Sequence, residues 1–325
     1  MNENSKAILI LCSYICVDSQ TKPLEPKEWS TLATKLLINK LEPKNLLELN
    51  QEIIDKLELD EGMVNRINTL IKRSATLFFE INKYENFGIK YVTRADKNYP
   101  KKIKKTLGNS TPPIMYYCGN LKLLDKELVG FVGSRKIEDS DSKITEIMVK
   151  KTVEKGYGIV SGGAKGIDET SAKIALENDG FVVEIVSDSM LKKIKNSQYM
   201  NNVRNDKILI CSFSAPNTSF NVGMAMMRNK FIYISSIGTI VIKSDYKKGG
   251  TWNGAIENIK NGYAPICVVE NNQTGNQELI KLGAKAINEK WDYKFDKIRK
   301  NLLKEDSCNK KQNITSTTKK QLTLF

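Results

Sequence analysis

The 325-residue sequence contains no histidine. Without an imidazole, the chain has no Ser-His-Asp or Cys-His catalytic arrangement, no histidine general base and few of the usual zinc ligands. Any chemistry would have to use carboxylates, lysine, main-chain amides or a bound Mg²⁺. We therefore predict a binding protein that is not an enzyme, with no cofactor and no metal site.

Cysteine is scarce and long apolar runs are missing. Only Cys12 and Cys16, of six cysteines, lie close together, and their spacing fits neither a zinc ribbon nor a thioredoxin motif. We expect free thiols in a reducing cytoplasm. The apolar stretch at residues 7–17 is too short to span a bilayer, and no small-residue cleavage site follows it. We therefore expect a cytoplasmic protein without a membrane partner.

Acidic residues are outnumbered by basic ones. The chain has 51 lysines and arginines against 37 aspartates and glutamates, and a formal net charge of +14. Such an excess favours a polyanionic partner such as nucleic acid. Lysine-rich proteins that do not bind nucleic acid can show the same excess, so the charge alone does not decide the function.

The chain divides into three segments. Residues 1–88 carry apolar side chains at helical spacing and are predicted to form a small helical domain. In residues 89–297, short apolar strands alternate with helices, which predicts an α/β, Rossmann-like, doubly wound and mostly parallel sheet. Residues 298–325 are predicted to form a flexible, disordered tail, because residues 304–320 have almost nothing to bury. The predicted strands are 114–118, 128–132, 158–160, 181–186, 208–211, 239–242 and 266–269.

One predicted helix lies near residue 220. Apolar residues recur there at a spacing that predicts a stripe facing the core. The stripe consists of Phe220, Met224, Met227, Phe231 and Ile234.

Three glycine-containing motifs follow predicted strands. Ligands of doubly wound sheets bind beyond the carboxyl ends of the strands, where these motifs would lie. Glycines let main-chain amides approach an anion, and the start of a helix adds its dipole. We therefore predict an anion-binding rim. Its candidate residues are Gly133, Ser134, Arg135, Ser161, Gly162, Gly163, Lys165, Lys248, Gly249, Gly250 and Thr251.

The triplet Arg228-Asn229-Lys230 lies on the predicted helix near residue 220. It could be a solvated helix face. Alternatively, it could extend the positive surface along which a sugar-phosphate chain runs.

Several motifs resemble the DNA-processing protein A (DprA, or Smf) family. Tyr99-Pro100, followed by the segment from Pro112 to Leu121, is similar to the opening segment of these proteins. The motifs that begin at Gly133, Ser161 and Phe220 follow in the family's order, and the likeness covers roughly residues 90–270.

The resemblance implies a Rossmann-like domain that dimerises, binds single-stranded DNA in a basic groove and delivers it to the recombinase RecA. By position, it implies that Arg135 and Lys230 contact phosphates and that Ser161 to Gly163 supply main-chain amides. Phe220, Arg228 and Asn229 complete the candidate DNA-binding set. A role in recombination, repair or DNA uptake during transformation would follow.

The departures from the family pattern leave two alternatives open. Ser171-Ala172-Lys173 stands where many members have a histidine, and Lys230 replaces an arginine, which keeps the charge but loses a planar fork. The segment from Lys248 to Thr251, with Glu257 after it, resembles the wider superfamily of nucleotide-processing LOG enzymes. One alternative is therefore a nucleotide-binding or nucleotide-hydrolysing enzyme or sensor that uses Glu257, with no evident partner to tune it. The other is a component of a phage-defence or mobile-element system.

The last five residues resemble a different motif. Gln321-Leu322-Thr323-Leu324-Phe325 is similar to the peptide by which bacterial replication and repair proteins dock on the DNA polymerase III sliding clamp. On a flexible tether, Leu324 and Phe325 would enter an apolar pocket, with Leu322 beside them and Gln321 hydrogen-bonding at its edge. The sliding clamp is therefore a further predicted partner.

Overall fold

The computed structural model describes residues 2–17, 21–188 and 190–295. The predicted clamp-binding peptide and the rest of the predicted tail from residue 298 onward lie outside these ranges. The described chain begins with five α-helices. They are α1 (Glu3–Cys12), α2 (Pro26–Ile38), α3 (Gln51–Leu57), α4 (Glu61–Lys72) and α5 (Ser74–Asn86).

The boundaries of these helices follow from local capping. Helix α2 starts with proline in its first turn, and Glu25 and Glu28 form a reciprocal capping box around that turn. Helix α4 starts after Asp60, whose carboxylate accepts the amide N–H of Met63 at 2.7 Å.

A single sheet with nine strands follows in the described residues. The strands are β1 (Lys90–Thr93), β2 (Ile114–Cys118), β3 (Leu128–Val132), β4 (Gly158–Ser161), β5 (Val182–Val186), β6 (Ile208–Ser212), β7 (Gly238–Val241), β8 (Ile266–Val269) and β9 (Lys285–Ile287). Their order is β1-β2-β6-β5-β4-β3-β7-β8-β9. Strand β2 is antiparallel to both of its neighbours, and all other pairs are parallel. The predicted mostly parallel, doubly wound sheet is confirmed, and β1 and β9 are strands that the sequence pattern did not reveal.

Helices connect the strands of this sheet. They are α6 (Lys101–Leu107), α7 (Asp139–Glu154), α8 (Ile167–Glu177), α9 (Met190–Ile194), α10 (Ser197–Arg204), α11 (Val222–Ser235), α12 (Gly249–Asn261) and α13 (Thr274–Lys281). From β3 the chain winds outward through β4, β5 and β6, and from β7 it winds the opposite way through β8 and β9. The neighbouring strands β3 and β7 therefore form the topological switch point, where ligands of such sheets bind.

The N-terminal helices and the sheet share one hydrophobic core. Leu9 on α1 and Trp29 on α2 are fully buried and belong to the same cluster as Tyr116 on β2 and Phe131 on β3. A hydrogen bond of 2.8 Å between the hydroxyls of Ser13 and Tyr116 lies in the same contact. The helices therefore cover the β1–β2 end of the sheet.

The predicted core-facing stripe of α11 is only partly confirmed. Phe231 and Ile234 are buried, but Phe220 and Met227 are exposed, so the prediction was wrong for the first half of the stripe. The reason is the position of the helix. Its first half lines a cavity through Val222 and other side chains, and only its second half packs on the sheet.

The structure bears on two predictions made from the composition, namely free thiols and the lack of a membrane-spanning segment. The cysteines within the described ranges are free thiols, and all except Cys16 are buried. Burial raises the pKa of the Cys267 thiol to about 12, so this group is uncharged at neutral pH. Across the described ranges, no helix combines the length and the apolar character needed to cross a membrane.

The shared core predicts cooperative unfolding of helices and sheet. Leu9→Ala should lower the free energy of unfolding by about 2–5 kcal/mol, because the truncation leaves a cavity in the common cluster. Urea titrations followed by far-ultraviolet circular dichroism and by tryptophan fluorescence should shift together. Ile38→Ala, at a side chain that is 73% exposed, is the control and should change this free energy by less than about 0.5 kcal/mol. A separate early transition of the helices would contradict a shared core.

Candidate functional site

An open cavity of about 580 Å³ lies at the switch point between β3 and β7. Val132 is paired with Val241 in the sheet, so the loops that follow β3 and β7 leave the same edge side by side. The start of α11 and the start of α12 form two further walls of the cavity. Its walls include these predicted site residues: Gly133, Ser134, Arg135, Phe220, Arg228, Asn229, Lys248, Gly249, Gly250 and Thr251.

Other predicted residues do not line the cavity. Ser161 and Gly162 are buried behind it, the side chain of Lys165 is exposed, and Lys230 and Gly163 are half-buried. Sequence reasoning also missed several residues of the wall. They are Lys136, Ala164, Asp168, Val222, Ala225, Met226, Tyr233, Asp245 and Asn253. Four of them had a signal in the sequence: Ala164 and Asp168 belong to the motif that begins at Ser161, and Lys136 and Asp245 lie just beyond the ends of two strands.

The loop after β3 forms the floor of the cavity. A Cβ atom at Gly133 would lie 2.4 Å from Ile167 on α8, so a side chain would push the two elements apart. The amide of Ser134 donates to the carbonyl of Lys243 at 2.9 Å, which joins this loop to the loop after β7. The Lys243 ammonium donates to Asp141 at 2.8 Å, and this bond raises the pKa of Lys243. The floor is therefore fixed to α7 as well.

The first turn of α12 opens into the cavity. Gly249, Gly250 and Thr251 line the wall, and the residue before them, Lys248, makes no side-chain capping hydrogen bond. The first amides of a helix have no partner within the helix, and the helix dipole favours negative charge there. This 13-residue helix therefore presents the positive end of its dipole to a cavity that Lys248 also lines, an arrangement that suits an anionic ligand.

An exposed aromatic side chain also lines the cavity. Phe220 is 50% exposed, and the guanidinium carbon of Arg135 lies 5.1 Å from the centre of its ring. Val222 and Met226, which follow Phe220, are exposed as well. An apolar surface thus adjoins the cationic groups, an arrangement that suits a ligand with a flat ring and a negative charge.

Arg228 is buried, not solvated as one interpretation of the helix face assumed. It is 8% exposed, and its Nη1 atom lies 3.7 Å from Oδ2 of Asp168 on α8. The same Oδ2 accepts the amides of Gly162 at 3.1 Å and Ala164 at 3.4 Å. A Cβ atom at Gly162 would lie 1.2 Å from Nη1 of Arg228, so only glycine leaves room for the guanidinium. The predicted amide of Gly162 is therefore engaged within the protein.

Burial governs the pKa values of this pair. It raises the pKa of Asp168, and the charge of Arg228 and the two amides oppose the rise. Burial also lowers the pKa of Arg228, and the charge of Asp168 opposes that fall. The two charged groups therefore depend on each other, because each supplies the counter-charge that the other lacks in the protein interior.

A second contact holds the loop between β4 and α8. The carbonyl of Gly163 accepts a hydrogen bond from Lys193 at 2.7 Å, and Lys193 also donates to the fully buried Glu184 at 2.8 Å. Gly163 has a φ of +61°, and a Cβ atom there would lie 2.5 Å from the Lys193 ammonium. The loop is therefore held from two sides.

Asn229 and Lys230 connect α11 to α12. The side-chain amide of Asn229 donates to the carbonyl of Gly250 at 2.9 Å. The ammonium of Lys230 lies 3.3 Å from the carboxylate of Glu257, which is also 3.5 Å from the hydroxyl of Tyr263. The expectation that Glu257 has no evident partner was therefore wrong. Together with Arg228, these two residues hold the loops around the cavity, and we call residues 228–230 the bracket.

Comparison with known proteins identifies the family. A family model described as DNA recombination-mediator protein A matches residues 90–296, and the chain belongs to this family. The predicted DprA resemblance is thereby confirmed. The chain is 28% identical to the DNA processing protein DprA of Bacillus subtilis over 210 residues, which cover 63% of this chain and 70% of that protein.

Two solved structures share the fold. The DNA processing protein A of Streptococcus pneumoniae superposes with a TM-score of 0.60 at 22% identity, covering 81% of this chain and 95% of that one. The protein of the same name from Helicobacter pylori gives a TM-score of 0.50 at 24% identity, covering 66% of this chain and 97% of that one. The second structure is described in terms of its single-stranded DNA binding mode.

Neutralising Arg228 should destabilise the protein. Arg228→Ala leaves the buried Asp168 without its partner and should lower the free energy of unfolding by about 3–5 kcal/mol at neutral pH. Adding Asp168→Asn should recover part of the loss, because no unpaired charge remains. Urea titrations of both single variants and the double variant measure the coupling.

The pH dependence of the same variant has a definite sign. Folding raises the pKa of Asp168, so the folded protein holds the carboxyl proton more tightly than the unfolded chain does. The contribution of this group to the free energy of unfolding is therefore largest at low pH and is lost as the pH rises through the folded pKa. Loss of Arg228 raises this pKa further. The loss of unfolding free energy in Arg228→Ala should therefore be larger at about pH 7 than at about pH 5. Lys173→Ala breaks an exposed pair with Glu177 and should show a deficit within about 0.5 kcal/mol at both pH values.

Proposed function

We propose that this chain binds single-stranded DNA in the switch-point cavity and acts in DNA processing during recombination, repair or uptake. The observation that carries the proposal is the combination of Phe220 under Arg135 with the open end of α12 in one cavity. Cations and helix amides suit phosphates, and an aromatic face suits an unstacked base of any sequence. The binding mode named for the Helicobacter pylori relative supports the same ligand.

Single strands fit this site better than duplex DNA. The apolar face of Phe220 needs a base whose own face is free, and bases in a duplex are already stacked. The formal charge of +14 supplies a sequence-independent attraction to phosphates. We propose Arg135, Lys136 and Lys248 as the phosphate contacts that border the cavity. Lys230, assigned to phosphate by the family resemblance, would have to release Glu257 to make that contact.

Two protein partners are proposed from the family resemblance, a second copy of this chain and a recombinase. We propose that the chain forms a homodimer and delivers bound single strands to a RecA-type recombinase. Light scattering tests the dimer, and strand exchange by the recombinase with and without this protein tests the delivery.

The enzymatic alternative receives little support from the site. Glu257, its candidate base, lies in a contact with Lys230 and Tyr263 that joins two elements of the fold. Hydrolysis of a nucleoside monophosphate that disappears in Glu257→Gln would favour that alternative. The operon context would test the phage-defence or mobile-element alternative.

Salt titrations test the DNA-binding proposal. If roughly four phosphates are neutralised, log K for a single strand should fall against log salt with a slope of about −3. Arg135→Ala should weaken binding to all sequences alike and flatten the slope by about 0.7, because one phosphate contact is lost. Lys230→Ala removes the second phosphate contact that the family resemblance assigns, and it should likewise weaken binding to all sequences and flatten the slope.

Two comparisons complete this test. Lys6→Ala, on helix α1 away from the cavity, is the matched control for loss of one positive charge. Equal affinity for duplex and single strand, or an unchanged slope in Arg135→Ala, would contradict the placement of the DNA in this cavity.

We also propose that the peptide Gln321-Leu322-Thr323-Leu324-Phe325 docks on the sliding clamp of DNA polymerase III. The support is its sequence: three large apolar residues, Leu322, Leu324 and Phe325, follow a glutamine after a polar stretch from residue 304 to 320. Short peptides of this kind bind through apolar anchors in a preformed pocket. Clamp binding would keep the protein close to DNA under synthesis.

Removal of the peptide should separate the two binding activities. A chain that ends at Lys320 should lose clamp binding and keep its DNA affinity, because the described residues that line the cavity all lie between positions 132 and 253. Leu324→Ala with Phe325→Ala should behave in the same way, since these two residues bury the apolar area. Calorimetric titration of the clamp measures the binding, with a dissociation constant on the order of micromolar for the isolated peptide. Equal clamp binding by the original chain, the chain that ends at Lys320 and the double variant would refute the proposal.

A further inference from the structure

We propose that Tyr246 is a second base-stacking platform, so that a strand crossing the cavity stacks one base on Phe220 and another on Tyr246. This inference rests on the proposed binding of single-stranded DNA in the cavity. It adds a subsite to that function and lengthens the stretch of DNA that the protein holds.

Tyr246 lies at the rim of the cavity. The residue before it, Asp245, lines the wall, and so does Lys248 two positions after it. The side chain of Tyr246 is 39% exposed and is not part of the wall itself. A strand whose phosphate lies at Lys248 therefore has this ring within reach of a neighbouring base.

The ring of Tyr246 is held in place before any ligand binds. It packs against Trp252 of α12 in a T-shaped contact, with 5.1 Å between the ring centres and an angle of 83° between the planes. Because Trp252 is almost fully buried, this contact restricts the movement of the Tyr246 ring. Fixed aromatic rings bind bases at a lower entropic cost than mobile ones.

The loop that carries the ring is anchored from below by α13. The amide of Ser244 donates to the side chain of the fully buried Asn276 at 2.8 Å. A Cβ atom at Gly275 would lie 1.9 Å from the carbonyl oxygen of Ser244, so the helix start packs directly on the loop. The platform is therefore part of the rigid fold.

A positively charged side chain lies beside the Tyr246 ring, as one does beside the Phe220 ring. The ammonium of Lys247 lies 5.0 Å from the centre of the Tyr246 ring, and the Arg135 guanidinium lies 5.1 Å from that of Phe220. Lys247 has a φ of 53°, a left-handed conformation that is uncommon for lysine. Phe220 and Tyr246 thus each have a positive charge beside the ring, which can neutralise the phosphate next to a stacked base.

An aromatic ring with a lysine above it does not by itself define a DNA subsite. Phe79 on α5 is also exposed, and the Lys83 ammonium lies 4.5 Å from the centre of its ring. That pair is on the N-terminal helices and does not line the cavity. Position next to the cavity distinguishes Tyr246, and Phe79 provides a matched control.

The test compares variants that keep or remove the aromatic face. Tyr246→Leu keeps an apolar contact with Trp252 but loses the ring, and it should weaken binding to a thymidine oligonucleotide by roughly ten-fold. Tyr246→Phe keeps the ring and should bind within about two-fold of the original chain. Phe79→Leu should leave the affinity unchanged. Fluorescence anisotropy measures the affinities, and circular dichroism checks that all variants are folded.

An abasic oligonucleotide of the same length separates stacking from charge. It keeps the phosphates and lacks the bases, so Tyr246→Leu and the original chain should bind it equally. A ten-fold loss on both strands would overturn the stacking role of Tyr246. No loss on either strand, while Arg135→Ala still weakens binding, would overturn the platform and leave the proposed function standing. Failure of the original chain to bind the thymidine strand would overturn both.

Discussion

The arrangement of the cavity depends on the buried ion pair between Arg228 and Asp168. Removing two charges from water is expensive, and such pairs seldom add net stability. Their value lies in geometry. Asp168 binds the amides of the loop after β4, and Arg228 fits against Gly162 of that loop, where a side chain would collide with it. Any displacement of α11 would leave a buried charge unpaired, so the helix and the loop have one stable relative position.

Helix α11 accordingly has two different halves. The second half packs on the sheet, while the first half exposes Val222 and Met226 beside Phe220 at the cavity. An apolar surface of this kind costs solubility and usually marks a binding site. The bracket at residues 228–230 lies between the halves and connects them to α8 and α12. A helix held in this way can carry exposed apolar side chains without collapsing onto the core.

The rest of the molecule supports the same edge of the sheet. Strands β3 and β7 are buried on both faces, so the loops that follow them start from fixed points. The N-terminal helices cover the distant β1–β2 end and share its core. The loops that form the cavity therefore start from buried strand ends, which favours a site formed before the ligand arrives.

The sequence by itself determined the fold class, the family and the loops that form the cavity. Alternating strands and helices are repeating local patterns, and glycines after a strand mark a tight turn wherever the strand lies. Only the tertiary structure decided the roles of individual side chains on α11 and just before it. Phe220 and Phe231 occupy equivalent places in one helical pattern, yet one lines a cavity and the other lies in the core. Arg228 and Lys230 look alike as basic residues, but their partners Asp168 and Glu257 lie far away in the sequence. A helical repeat shows which residues share a face, whereas burial depends on what covers that face, and this is set by contacts between distant segments.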